Sequence, residues 1–338
     1  MMSTPTSRKR AVGAALAGLT ALVLAACGGV QGGAGAEEEA PDYPTEPVEL
    51  TVPFSPGGAT DLIGRAFAKA IQEPLGQPMP VVNREGANGA VGGKEVLGRE
   101  ADGYSLVFLP QSLMAITPLA VDDADPIELE DMDIVTGVTQ EDYVLVVNAE
   151  TSPYQTIDDL LATPGLSYGN TGVGSGSHLS AAALTTLSGV EHNTVPFEGG
   201  GPAVTALLGS QVDAVSTQLL EAMPHIESGK FRPLVVFAAE RSEYLPDVPT
   251  ATEAGFDVVV EQRRFVAAPA GLPDNVRSHL EESFATAFED PAYGEFLEEN
   301  YASRWEVGPE EAEEALAEAK EQYATLVDEL GIDLKSGS

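Results

Sequence analysis

The sequence predicts an α/β fold in two lobes, preceded by an export signal and a flexible tether. Three observations carry that expectation. Apolar strand-like runs alternate with helical patterns through the body of the chain, which favours largely parallel sheets flanked by helices. Two glycine-rich loops, one early and one central, each stand between a strand and a helix. The chain has 338 residues, enough for two domains of ordinary size once the signal is removed.

At the N-terminus, Arg8, Lys9 and Arg10 precede an apolar stretch over 11–26 that is too short to span a bilayer comfortably. This is the pattern of a secretory signal, expected over 1–26. It ends in Leu24, Ala25, Ala26 and Cys27, which resembles a bacterial lipobox, so Cys27 is the expected lipidation site. Cys27 is the sole cysteine, so no intramolecular disulfide can form. Residues 27–46 are rich in Gly, Ala, Glu and Pro and read as a tether. No later stretch is long and apolar enough to span a membrane. The expected location is therefore the outer face of the bacterial cytoplasmic membrane, or the periplasm, with the lipid as the only membrane contact. The formal charge of −36 argues against nucleic acid and against an anionic membrane face as partners. A monomer without cofactor is expected.

Strands are expected over 48–52, 80–82, 105–109, 133–138 and 144–148, then over 167–168, 194–195, 214–216, 234–238 and 265–268. Helices are expected over about 61–71, 177–188, 202–208 and 309–330. The last carries Ala312, Leu316, Ala319, Tyr323, Leu326, Val327 and Leu330 at helical spacing, a single stripe that packs on a core. Glu310, Glu311, Glu313 and Glu314 make a solvated first turn, favourably placed on the helix dipole.

The first glycine loop is Pro53, Phe54, Ser55, Pro56, Gly57, Gly58, Ala59, Thr60 and Asp61. A turn that opens a helix leaves the first N–H groups without partners, and the dipole adds positive charge there, which makes a seat for a phosphate or carboxylate. The second, from Gly169 through Gly172, Gly174, Ser175, Gly176, Ser177 and His178, repeats the same physics, with Ser177 or Ser175 as N-cap. Two such seats suggest two lobes whose loops face a shared cleft at the carboxyl ends of the strands. Gln111, just past a strand, either reaches that crevice or is an ordinary loop amide. Arg263 and Arg264 precede the strand 265–268. Neighbours on a strand point to opposite faces, so at most one aims into a cleft, where its planar fork suits a carboxylate.

Other chemistry finds no matching pattern. Gly-x-Ser-x-Gly is not met around Ser175, and no spacing joins His178, His192 or His225 to a serine as a hydrolase requires. Gly172, Gly174 and Gly176 do not make the dinucleotide fingerprint. The four histidines form no ligand-spaced pair for a metal. The expectation is a binding protein and not an enzyme.

The chain resembles the solute-binding proteins of tripartite tricarboxylate transporters, the Bug or tricarboxylate-receptor family. The resemblance is carried in order by 52–61 (VPFSPGGATD), 75–78 (LGQP) with 82–84 (VNR), 101–104 (ADGY), 169–178 (GNTGVGSGSH), 209–214 (GSQVDA), 224–230 (PHIESGK), 245–250 (LPDVPT) with 253–255 (EAG), and 268–273 (APAGLP). It implies a two-lobed periplasmic-binding-protein type II fold, a Venus flytrap with mixed sheets flanked by helices, closing on a small carboxylate for delivery to membrane permease subunits. It also implies that the two loops hold the carboxylate, through Phe54, Ser55, Gly57, Gly58, Thr60 and Asp61 on one side and Gly174, Ser175, Gly176, Ser177 and His178 on the other. A ligand role for Asp61 beside an anion would be repulsive, so it is expected to cap its helix or hold water. Two departures stand out: Glu85 where members commonly have Pro, and Arg263 and Phe265 where many have an aromatic residue and Gly. Members nearer to tricarboxylate receptors tend to keep an arginine aligned with Arg264, which favours a di- or tricarboxylate. The lobes are expected over 47–145 with 250–338, and over 146–249, hinged near 144–148 and 238–264. The alternatives are a similar binding protein for another anion transporter or a sensor kinase and, less so, a secreted serine hydrolase.

Overall fold

The computed structural model describes residues 43–121 and 126–335. Cys27, the signal and most of the tether lie outside the described residues. The chain lays down β1 (Glu49–Val52), α1 (Ala59–Ala70), α2 (Gln72–Leu75), β2 (Val81–Asn83), α3 (Ala90–Leu97), β3 (Ser105–Pro110), α4 (Ser112–Ala115), α5 (Thr117–Ala120) and β4 (Met132–Asn148). It continues through α6 (Ile157–Leu161), β5 (Ser167–Asn170), α7 (Gly176–Ser188), β6 (Asn193–Pro196), α8 (Gly200–Leu208), β7 (Ala214–Gln218), α9 (Leu219–Glu227) and β8 (Phe231–Val236). Last come β9 (Glu261–Pro269), α10 (Asp274–Ala287), α11 (Pro291–Glu299), β10 (Ser303–Arg304) and α12 (Pro309–Leu330).

These strands form one mixed sheet in the order β2-β1-β3-β9-β4-β7-β5-β6, with β8 and β10 also paired to β4. The parallel expectation holds at the two ends, where β1 pairs β2 and β3, and β5 pairs β6 and β7. There the intervening helices return the chain in the same direction, as parallel strands require. The centre is antiparallel: β9 runs against β3 and β4, and β4 runs against β7 and β8.

The two strands expected over 133–138 and 144–148 are one continuous β4. The polar run Thr139, Gln140, Glu141 and Asp142 reads as a break, but Arg264, Arg263, Gln262 and Glu261 of β9 pair with it rung for rung. The strand expected over 265–268 therefore begins four residues earlier, at Glu261. The first half of β4 and the second half of β9 lie with β1, β2 and β3 over one set of buried side chains, including Leu50, Ile63, Phe67, Phe108 and Phe284. The second half of β4 lies over others, including Leu145, Tyr168, Leu184 and Phe237 on one face and Val146, Leu207 and Val215 on the opposite face. The stripe of α12 serves both: Ala312 and Leu316 join Val107, Leu109 and Phe265, while Ala319 and Tyr323 join the Leu145 and Tyr168 group.

Candidate functional site

The β1–α1 loop is built by glycine and by one buried carboxylate. Gly57 has φ of 81°, a left-handed backbone that favours glycine. Helix α1 starts at Ala59, two residues before the expected Asp61, with Gly58 as N-cap and no side-chain cap. Asp61 therefore does not sit at the N-cap. It is the third residue of the helix, and its carboxylate reaches back over the loop to accept the Gly57 N–H at 2.8 Å. It also accepts Arg65 Nε at 2.9 Å and Asn83 Nδ2 at 2.8 Å, and Asn83 Nδ2 donates to the Phe54 carbonyl as well. Burial raises the Asp61 pKa, but the bonds from Arg65, Gly57 and Asn83 outweigh it and hold the carboxyl below its ordinary value. The Asp61 charge is thus spent inside the loop. The N–H groups of Ala59 and Thr60 precede the helix's own bonding and have no intrahelical acceptor.

Thr60 and Arg264 link this loop to the sheet. Arg264 is 1% exposed, donates from Nε to Thr60 Oγ1 at 3.1 Å, and forms a buried ion pair with Glu141. Burial lowers its pKa to about 9, which leaves the guanidinium charged at neutral pH. Its charge is therefore engaged behind the loop. Arg263 points to the other face, as strand alternation requires, bonding Gln140 and Glu261 and lying 5.4 Å from the Trp305 ring centre. Ser55 donates to Glu85 at 2.9 Å, so the residue that departs from the family pattern holds that hydroxyl.

In the β5–α7 loop the N-cap is Ser175, not Ser177: its Oγ accepts the His178 N–H at 3.2 Å and donates to the Gly172 carbonyl at 2.7 Å. Ser177 Oγ instead accepts the Thr171 N–H at 2.9 Å and contacts Ser175 Oγ at 2.9 Å. Gly174 has φ of 76°, and a Cβ there would press on the Thr117 backbone. Gly176 lies against the Tyr143 ring, which no larger residue could do without moving it. His178 is buried, and its Nδ1 accepts the Gly174 N–H at 3.2 Å, so the neutral ring carries its proton on Nε2. Burial pulls its pKa down to about 4. This histidine shapes the loop, and neither Ser175 nor Ser177 is bonded to its ring as a nucleophile would be.

That depressed pKa sets a pH dependence. The unfolded chain protonates near the ordinary value of about 6.5 and the folded chain only near 4, so the unfolded state binds more protons between them and stability is lost as pH falls across that window. The expected loss by pH 4 is about 3 kcal/mol. Unfolding curves at pH 7 and pH 4.5 should separate in the native chain and draw together in His178→Gln. Equal separation in both would remove His178 as the cause.

The structure brings the two loops together through residues that sequence reasoning missed. Phe54 packs on Gly89, Asn88 Nδ2 donates to Thr117 Oγ1 at 3.2 Å, and Thr117 Oγ1 donates to the Gly174 carbonyl at 3.2 Å. Below them, Tyr143 donates to Gln262 Oε1 at 2.8 Å, so the support of Gly176 runs through β9, the strand that carries Arg264. Asn170, the last residue of β5, holds the Gly172 N–H with Oδ1 at 2.9 Å, while its buried Nδ2 has no partner among the described residues. Gln111 is not a loop amide in water. It is buried, donating from Nε2 to the Glu261 carbonyl at 2.9 Å and to Tyr323 Oη at 3.0 Å, which ties α4 and α12 to β9. The Asn88-Gly89 pair is the one available sequence signal, a turn dipeptide.

A cavity of about 820 Å3 lies away from both loops, between α10, β4 and the start of α12. It offers an anion little: Glu130, Glu281, Glu310 and Glu311 line it, and Arg277 is already paired with Asp133 at 2.8 Å. Among the described residues no group of His, Cys, Asp and Glu is arranged to hold a metal, and no helix is long and apolar enough to cross a membrane.

A mixed α/β sheet in two halves, with glycine loops from each half meeting at one place, is the architecture of a solute-binding receptor. The model of the "Tripartite tricarboxylate transporter family receptor" matches residues 63–332, and the chain belongs to that family. It is similar to protein BugT of Bordetella pertussis, at 32% identity over 310 residues, 90% of this chain and 95% of that one. Among solved structures it is similar to an R. palustris protein with adipate, at 28% identity and TM-score 0.81, covering 86% of this chain and 99% of that one. It is also similar to MatC from Rhodopseudomonas palustris with bound malate, at 27% identity and TM-score 0.77, covering 84% and 100%. The family is one of receptors and not of enzymes. The expected α/β periplasmic-binding-protein fold is that of a further similar structure, periplasmic binding protein BugD, at 28% identity and TM-score 0.79, covering 86% of this chain and 99% of that one.

Proposed function

We propose that this receptor captures a small carboxylate, with di- and tricarboxylates favoured, between the β1–α1 and β5–α7 loops and delivers it to the membrane permease subunits of a tripartite transporter. The observation that supports this reading is the contact path Phe54, Gly89, Asn88, Thr117 and Gly174, which links the β1–α1 loop to the β5–α7 loop. Ala59 and Thr60 N–H on one side, and Gly176 and Ser177 N–H on the other, supply the donors. The adipate and malate of the neighbours are ligands of the same class. Ser55, Gly57 and Gly58 shape the first wall, and Ser175 and His178 the second. Arg264 acts on that wall through Thr60. In this reading the molecule is a monomer whose lobes, 47–145 with 250–338 and 146–249, hinge where β4 passes from one sheet half to the other. Cys27 carries the lipid that holds it at the membrane.

Micromolar capture needs about 8 kcal/mol. Charge-assisted hydrogen bonds of roughly 1.5–3 kcal/mol each, strengthened as water leaves, supply this without a cluster of lysines. A ligand that binds only the native state should raise the melting temperature, with about 2.7 kcal/mol gained at a hundred times its dissociation constant. Melting curves against a panel of mono-, di- and tricarboxylates test this. A panel in which no carboxylate shifts the curve would count decisively against the proposal.

A further inference from the structure

Three parallel strands of the second sheet half, β5, β6 and β7, end at the same edge of the sheet, and α7, α8 and α9 begin there. The β5–α7 loop described above is the first of these junctions. At the second, Gly199 is the N-cap of α8 and Gly200 its first residue. At the third, β7 passes into α9 with Gln218 as N-cap and no loop between.

Glu221, the third residue of α9, stands where these junctions meet. Its carboxylate accepts a hydrogen bond from Thr217 Oγ1 and another from the Gln218 N–H. It lies over Gly200 so closely that a Cβ at that position would collide with it. Its charge is felt by Tyr143, whose ring supports Gly176 of the β5–α7 loop. The carboxylate and the loop therefore share neighbours at one edge of the sheet.

What is unusual is the absence of a cation. Among the described residues no lysine, arginine or histidine is paired with Glu221, although burial pushes its pKa up. An interior carboxylate without a partner is costly. Two ionised oxygens offer about four acceptor positions, and Thr217 and Gln218 occupy two. Thr217 is fully buried while Glu221 keeps partial contact with solvent, and neither of its carboxylate oxygens is both sealed from solvent and unbonded.

We infer that Glu221 determines ligand specificity: it accepts a hydrogen bond from a donor group, a hydroxyl or an ammonium, that the ligand carries beside its carboxylate. This rests on the carboxylate-receptor reading and narrows it. The loops take the carboxylate, Glu221 takes the donor, and a second carboxylate placed against Glu221 is turned away by like charge. The ligand is thereby oriented, with its substituted carbon toward α8 and α9.

Isothermal titration of the whole chain decides it. The probes are trios of carboxylic acids of three to six carbons, each trio differing only in hydrogen, hydroxyl or ammonium at the carbon beside a carboxyl. In the trio that binds best, the hydroxyl or ammonium member should bind about 10–100-fold tighter than the unsubstituted one, the gain of one hydrogen bond to a charged group. Glu221→Ala should erase that preference, bringing the three members of the trio to within a few-fold of one another, with the melting temperature of the variant reporting whether the fold is intact. Glu221→Gln, which keeps an acceptor but loses the charge, should retain a preference for hydroxyl and lose one for ammonium; if the alanine variant does not fold, this ratio carries the test. Equal binding of all three members by the native chain, or a preference that survives both substitutions, overturns the inference and leaves the carboxylate reading standing. Failure of every carboxylate to bind the native chain overturns that reading itself, and with it the role of Glu221.

Discussion

Arg264→Leu is expected to cost about 3–5 kcal/mol of stability, because it strands the Glu141 carboxylate in the interior without its partner. Both side chains are 1% exposed, so water cannot take over the lost pairing. The double variant Arg264→Leu with Glu141→Leu should regain most of that loss, since a buried pair exchanged for apolar groups of similar size is often neutral. Urea unfolding of the three proteins measures both effects. If the single variant unfolds at the native midpoint, the ion pair is not carrying the load assigned to it. The double variant is also informative about binding. It keeps the core but frees Thr60 from the 3.1 Å bond to Nε, so a weakened carboxylate affinity in a stable double variant would mean that Arg264 works by aiming the first turn of α1.

Asp61→Ala is the second large effect. It leaves Arg65 Nε, Asn83 Nδ2 and the Gly57 N–H without their acceptor, a loss of roughly 2–4 kcal/mol for a buried group with several partners. Carboxylate affinity should fall by more than about 100-fold, the consequence of a mis-set loop in a pre-organised site. The pH behaviour has a definite sign. Because the folded pKa is lowered, the Asp61 contribution is fully present above the unfolded value of about 4 and is lost as pH falls through the folded value. Asp61→Asn should therefore be less stable than the native chain at pH 7 and flatter in the acid range. A variant with native stability at pH 7 would show that the loop holds itself without the carboxylate.

Much of the fold is legible in the sequence because its signals are local. The glycine turns after β1 and β5 and the single stripe of α12 each declare themselves within a short window. What was not legible comes from pairing between distant segments. The polar run from Thr139 to Asp142 resembles a loop until β9 brings Arg264 opposite Thr139 and its guanidinium to Glu141. Gln111 resembles a solvated amide until Tyr323 arrives from the far end of the chain. Asp61 resembles a liability beside an anion site until Arg65 and Asn83 are seen to hold it. A lone charge or amide in a sequence has no meaning without its partner, and the partner here lies up to 212 residues away.

Helix α12 carries a mechanical consequence. Ala312 and Leu316 are fixed among the side chains of one sheet half, and Ala319 and Tyr323 among those of the other. One turn of helix separates the two anchorages. Any rotation of one half against the other must be absorbed in that turn or in the Tyr323 hydroxyl's grip on Gln111 and Glu261. Under the proposed closure the helix would bend as a leaf spring laid across the two halves, resisting motion in proportion to its stiffness. Amide exchange in the turn between Leu316 and Ala319 is a gauge of that load, readable without a label anywhere near the ligand.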